Sequence, residues 1–141
     1  RVQITATAEG LLIDIGDRDG DSFFESGSAE LKPALVEILR VVGQELARIG
    51  NRVVVDGYTD SRTYRSAAGY DNWTLSSDRA HQARRLLIHA GVQPAQVDAV
   101  RAFADTRPKV QEDPLDPRNR RITIAVKPGG SVQPRATGKV P

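Results

Sequence analysis

A chain of 141 residues, 39% hydrophobic and 27% charged, is long enough to bury the core of one soluble domain. Its 20 basic and 18 acidic residues nearly cancel and alternate along the chain. Only 5% of residues are aromatic, so a nucleic-acid partner, which calls for a basic stripe with interleaved aromatics, is not expected. The lack of cysteine excludes disulfides, thiolate metal sites and thiol catalysis, and no apolar run approaches the roughly 20 residues of a membrane-spanning helix.

The chain starts at Arg1 rather than Met, as a processed or truncated piece would. Residues 1–9 alternate loosely and read as a linker or an extra N-terminal strand. From Gly10 to Gly16, Leu11, Ile13 and Ile15 fall on one face at period two, the pattern of a first core strand. Asp17-Arg18-Asp19-Gly20-Asp21 has the spacing of a calcium loop, but the twelfth position falls on Ser28, which cannot supply the bidentate carboxylate. A solvated turn is the expectation there. Pro33 suits a first helical position. Leu35, Ile38, Leu39, Val42, Leu46 and Ile49 then form one apolar stripe that Gly50 ends.

Val53–Val55 is a β-branched run leading through Asp56-Gly57-Tyr58 to Thr59 and Asp60, and reads as a central strand. The loop Ser61–Asp71 is longer than a tight connection needs and could form a lip over a site. A second helix starts near Asn72 or Ser76, both good caps, and ends at Gly91. Val97–Ala104 reads as a third strand and Asp105–Arg118, with three prolines, as a loop. Arg121–Lys127 alternates strictly and is a fourth strand. Residues 128–141, rich in Gly, Pro and Ser, read as a disordered tail. The expected fold is an α/β (α+β) two-layer sandwich: a mixed four-stranded sheet with helices on one face, in a domain spanning 10–127.

Catalytic chemistry is poorly represented. There is no G-x-S-x-G elbow and no glycine-rich phosphate loop. His81 and His89 lie eight residues apart on one helix, roughly 12 Å by helix rise, too far to share a metal ion. No metal, cofactor or enzymatic activity is expected. Asp60, just past a central strand, and Arg79, on the inward stripe of the next helix, are the pair of interest, because open α/β sheets bind ligands at that edge. An arginine fork can hold a carboxylate by two parallel hydrogen bonds while an acid accepts from an ammonium. Together they suit an amino-acid end group; an internal Asp60–Arg79 salt bridge is the alternative.

Three motifs in this order resemble the OmpA-like peptidoglycan-binding family: Gly57-Tyr58-Thr59-Asp60, then Asn72-x-x-Leu75-Ser76-x-x-Arg79-Ala80, then Asn119-Arg120-Arg121. The likeness runs from about Gly10 to Val126. Phe24-x-x-Gly27-Ser28-Ala29-Glu30-Leu31, the long loop and Tyr70-x-Asn72-Trp73 look most like the flagellar-stator branch, the MotB-type periplasmic domains, although Tyr58 stands where that branch usually has His. The resemblance implies that Asp60 and Arg79 hold the diaminopimelate of a peptidoglycan stem peptide without a covalent bond. Asn72, Thr59, Leu75 and Tyr70 would line the pocket, with Arg120 and Arg121 beside it. It also implies a homodimer that anchors a stator to the cell wall, in the periplasm. A single inner-membrane helix, absent from this chain, would join a MotA-type subunit. Another wall-anchored outer-membrane protein or lipoprotein is the second reading.

Overall fold

Residues 2–8, 10–18, 22–25, 27–62, 69–129 and 132 are described by the structure, a computed structural model. In chain order they form β1 (Val2–Thr7), β2 (Gly10–Gly16), α1 (Pro33–Ile49), β3 (Val53–Tyr58), α2 (Asn72–His89), β4 (Val97–Ala102) and β5 (Arg121–Val126). Short 3-10 turns precede β4 and β5, at Pro94–Gln96 and Pro117–Asn119. The strands join in one sheet of order β1-β2-β5-β3-β4. β3 and β4 run parallel with α2 as their crossover, and the remaining pairs are antiparallel. The sheet has five strands, one more than expected, because Val2–Thr7 pairs along its whole length with β2, from Val2 opposite Ile15 to Thr7 opposite Gly10.

Strand alternation decides the layers. Ile13 and Ile15 of β2, Val53 and Val55 of β3, and Ile122, Ile124 and Val126 of β5 point to one side. There they pack against Leu35, Leu39 and Leu46 of α1 and Ala80, Ala83 and Leu87 of α2 in a single core. α1 ends as expected: Gly50 takes a left-handed φ of 74°, and its N–H donates to the Leu46 carbonyl. α2 starts at Asn72, and its cap is the residue before that rather than Asn72 or Ser76. Asp71 is the N-cap, and its carboxylate accepts from the backbone N–H of Thr74 at 2.9 Å.

Gly57 lets α2 approach β3 closely, since a Cβ there would lie 2.2 Å from the Ser76 carbonyl oxygen. This contact brings the first turns of α2 over the carboxyl end of β3. The Ser76 hydroxyl reinforces it by accepting from the N–H of Ala104, just beyond β4, at 3.1 Å. The 63–68 portion of the expected lip, residues 19–21, and the C-terminal stretch apart from 128, 129 and 132 lie outside the described residues.

Candidate ligand-binding site

β3 delivers Thr59 and Asp60 to the sheet edge, both almost fully buried. The Thr59 N–H donates to the Ala104 carbonyl at 2.8 Å, which fixes the backbone. Asp60 Oδ1 accepts from the N–H of Arg62 at 2.9 Å, and Oδ2 accepts from Arg120 Nη1 at 2.7 Å. The same guanidinium donates through Nε to Asp17 Oδ2 at 2.8 Å, so Arg120 bridges two buried acids. Burial works to lower the Arg120 pKa, but its hydrogen bonds to Asp17 and Asp60 outweigh that and hold it above its ordinary value.

Asp17 corrects the expectation of a solvated turn. It is 1% exposed and also accepts from the Phe23 N–H and the Ser22 hydroxyl. It follows directly on β2, where its own N–H donates to the Arg120 carbonyl, and this backbone contact brings the two side chains together.

Arg79 is 2% exposed, the largest fully buried side chain among the described residues. Its Nε donates to the Ser28 carbonyl at 2.9 Å and its Nη2 to the Glu25 carbonyl at 3.1 Å. The guanidinium carbon stands 4.4 Å over the Phe24 ring. Carbonyl dipoles and an aromatic face thus replace part of the hydration that the cation gave up. Among the described residues, the ion pair of Asp60 is with Arg120, and no Asp60–Arg79 salt bridge forms.

Arg79 and Arg120 open on a common cleft of about 290 Å³, whose walls also carry Ser22, Phe24, Glu25, Lys32 and Arg62. Asn72 closes the corner next to it. Its Nδ2 donates to the Arg62 carbonyl at 3.0 Å and reaches the Asp60 carbonyl at 3.5 Å. Among the described residues, the buried Asn72 Oδ1 and Thr59 hydroxyl have no hydrogen-bond partner. The Tyr70 hydroxyl donates to Asp78 Oδ2 at 3.1 Å, and burial, with the neighbouring Asp78 carboxylate, raises its pKa. Leu75 is fully buried behind this corner.

The fold therefore gathers Asp60, Thr59, Asn72, Arg79 and Arg120, with Tyr70 and Leu75 on α2 and its approach. Arg121 goes elsewhere. It pairs with Tyr58 across β5 and β3, on the sheet face opposite the helices. There its guanidinium lies over the Tyr58 ring at 3.9 Å and its Nη1 donates to Asp14 at 3.2 Å. Asn119, the first residue of the same motif, is buried and shapes the preceding loop, exchanging hydrogen bonds with both backbone groups of Val110. Asp17, Phe24 and the Glu25 and Ser28 carbonyls are not among the site residues expected from sequence. For Asp17, the available signal was its place at the end of a core strand. Among the described residues, no group of three or more His, Asp or Glu could hold a metal ion.

An OmpA family model matches residues 23–121, a span that holds all three motifs. The chain belongs to the OmpA family. It is 38% identical over 126 residues to motility protein B of Escherichia coli K12, covering 89% of this chain and 41% of that protein. It is 35% identical over 104 residues to the peptidoglycan-associated lipoprotein of Pseudomonas putida, covering 72% and 60%. This OmpA-family chain thus spans about two-fifths of the motility protein it resembles. Among solved structures, the cell wall anchor of the type VI secretion system of Pseudomonas aeruginosa is 27% identical with a TM-score of 0.73, covering 90% of this chain and 87% of that one. The periplasmic domain of Helicobacter pylori MotB (residues 90–256) shares the fold, with a TM-score of 0.76 at 17% identity over 91% and 80% of the two chains. The mixed sheet with two helices is the fold of that group. No described helix is long and apolar enough to cross a membrane.

Proposed function

We propose that this domain binds peptidoglycan non-covalently and anchors a flagellar stator to the cell wall, holding the diaminopimelate of a stem peptide between Arg79 and Asp60. The observation that carries the reading is the buried Arg79, set on the wall of a cleft beside Asp60 by two carbonyls and an aromatic ring. A guanidinium oriented before the ligand arrives loses little further freedom on binding a carboxylate. A carboxylate has about four acceptor sites, so Asp60 can receive an ammonium while keeping Arg120 and the Arg62 N–H. Asn72 Oδ1 and the Thr59 hydroxyl, buried and without partners among the described residues, are further ligand contacts in this reading. Arg120 holds Asp60 in position, while Tyr70 and Leu75 shape the α2 side.

The names of the relatives agree with this reading: a motility protein and a peptidoglycan-associated lipoprotein. In the stator reading the binding unit is 10–127 and works in the periplasm as a homodimer. It is joined to a MotA-type subunit through an inner-membrane helix outside this chain. A second reading keeps the wall anchor but serves another envelope assembly. The likeness to the lipoprotein and to the secretion-system anchor favours it. In both, the site works by binding rather than by bond cleavage.

The test is co-sedimentation with purified sacculi. Wild type should pellet with the sacculi, whereas Arg79→Lys and Asp60→Asn, each shown to be folded by circular dichroism, should remain in the supernatant. Folded variants that pellet as well as wild type would overturn the site.

A further inference from the structure

The cleft beside Arg79 carries more positive charge than one amino-acid end group requires. Lys32, Arg62, Arg79 and Arg120 all line it, and Glu25 is the one acid among the lining side chains. Arg120 is matched by Asp17 and Asp60. Lys32 and Arg62 make no side-chain ion pair or hydrogen bond among the described residues, although both are attached to fixed backbone. The Lys32 N–H donates to the Phe23 carbonyl at 2.9 Å, and the Lys32 carbonyl accepts from Leu35 and Val36 at the start of α1. Arg62 is held at both ends of its own residue, by Asp60 Oδ1 on its N–H and by Asn72 Nδ2 on its carbonyl. Two unmatched cations on anchored backbone, facing one cleft, attract a second anion and not merely a neutral extension of the first.

We propose that Lys32 and Arg62 form a second carboxylate subsite, so that this domain selects stem peptides carrying a further free carboxylate and discriminates against the amidated form. This deepens the peptidoglycan reading and rests on it. The ligand is then held at three charged points: an ammonium at Asp60, one carboxylate at Arg79, and a second carboxylate at Lys32 and Arg62. Amidation replaces that second anion with a neutral amide and leaves both cations unmatched.

The experiment compares two synthetic diaminopimelate-containing stem peptides, identical except that the acidic residue preceding the diaminopimelate has its α-carboxylate free in one and amidated in the other. Binding of each is measured by titration calorimetry to wild type and to the Lys32→Gln/Arg62→Gln double variant, whose changes lie at the cleft rim and leave the core intact. Wild type should prefer the free peptide by roughly three- to tenfold, the range expected for two solvent-accessible charge pairs. The preference should shrink as salt is added. The double variant should bind both peptides alike, at the level wild type shows for the amidated one. Equal wild-type affinity for the two peptides overturns the subsite and leaves the anchor reading standing. A preference that survives in the double variant also overturns it. Failure of wild type to bind either peptide overturns the anchor reading and the subsite together.

Discussion

Arg120 and Arg121 are consecutive, charged alike and comparably buried, at 17% and 12% side-chain exposure, yet they serve opposite sides of the sheet. Arg120 turns toward the helix-side corner and there binds two carboxylates that are themselves 0% and 1% exposed. Arg121 turns to the open face. Its partner Asp14 has Lys109 as a second cation at 3.3 Å, and its guanidinium rests on the Tyr58 ring. The difference lies in redundancy. On the open face the acid has a second cation, whereas at the corner one cation serves two enclosed acids.

The comparison is most sharply broken by Arg120→Ala, which leaves Asp17 and Asp60 buried without their cation. It should cost about 3–5 kcal/mol, the range for removing one partner of a buried pair, and abolish sacculus binding. Urea denaturation with a co-sedimentation assay reads both. A loss under about 1 kcal/mol would mean that water already solvates the corner. Gly57→Ala attacks the same corner through packing. Its Cβ would press on the Ser76 carbonyl and lift the start of α2 from β3. An over-packing cost of about 1–3 kcal/mol is expected, with weakened binding because Asn72 and Arg79 move with the helix.

Arg121→Ala should be milder, about 1–2 kcal/mol, since Lys109 still accompanies Asp14 and the losses are the cation–π contact and the hydrogen bonds to Asp14 and to the Arg107 carbonyl. Sacculus binding should be unchanged; a loss equal to that of Arg120→Ala would erase the distinction between the two faces. The smallest effect is alkaline. Burial, with the Asp56 carboxylate nearby, raises the Tyr58 pKa above its ordinary 10.0. The folded state therefore favours the neutral phenol. That contribution is fully present below pH 10 and is lost as pH rises through the raised value. Phenolate absorbance should show Tyr58 and Tyr70 titrating late in the folded protein and normally in denaturant, with Tyr58→Phe removing one of the two late steps.

Local pattern made much of this legible. The apolar stripe from Leu35 to Ile49 could satisfy only an amphipathic helix, and Gly50 is where that helix stops. The alternation from Arg121 to Val126 required a strand with one buried face, and it already implied that Arg121 and Ile122 point oppositely. What it could not show was which face Arg120 serves, since that residue precedes the strand and is aimed by the Pro117–Asn119 turn. Periodicity assigned Asp60 to a strand end and Arg79 to an inward stripe, and left an internal salt bridge between them as the alternative to a ligand clamp. The partner of Asp60 is instead 60 residues away, and the carbonyls that orient Arg79 are 51 and 54 residues away. β1 was only half readable, because all six of its residues are exposed and a strand with no buried face leaves no clear alternation.

The sequence by itself determined the two helices, the core strands, the family and the residues on which a site could be built. Each of these follows from patterns within a few residues or from motifs in a fixed order. Only the tertiary structure decided how the charges are matched: Asp17 and Asp60 to Arg120, Arg79 to backbone carbonyls and Phe24, and Arg121 to the opposite face. The physical reason is that a buried charge must find a partner wherever the packed chain provides one. Which partner that is depends on strand order, on the Gly57 contact and on the turns before β5, none of which has a local signature.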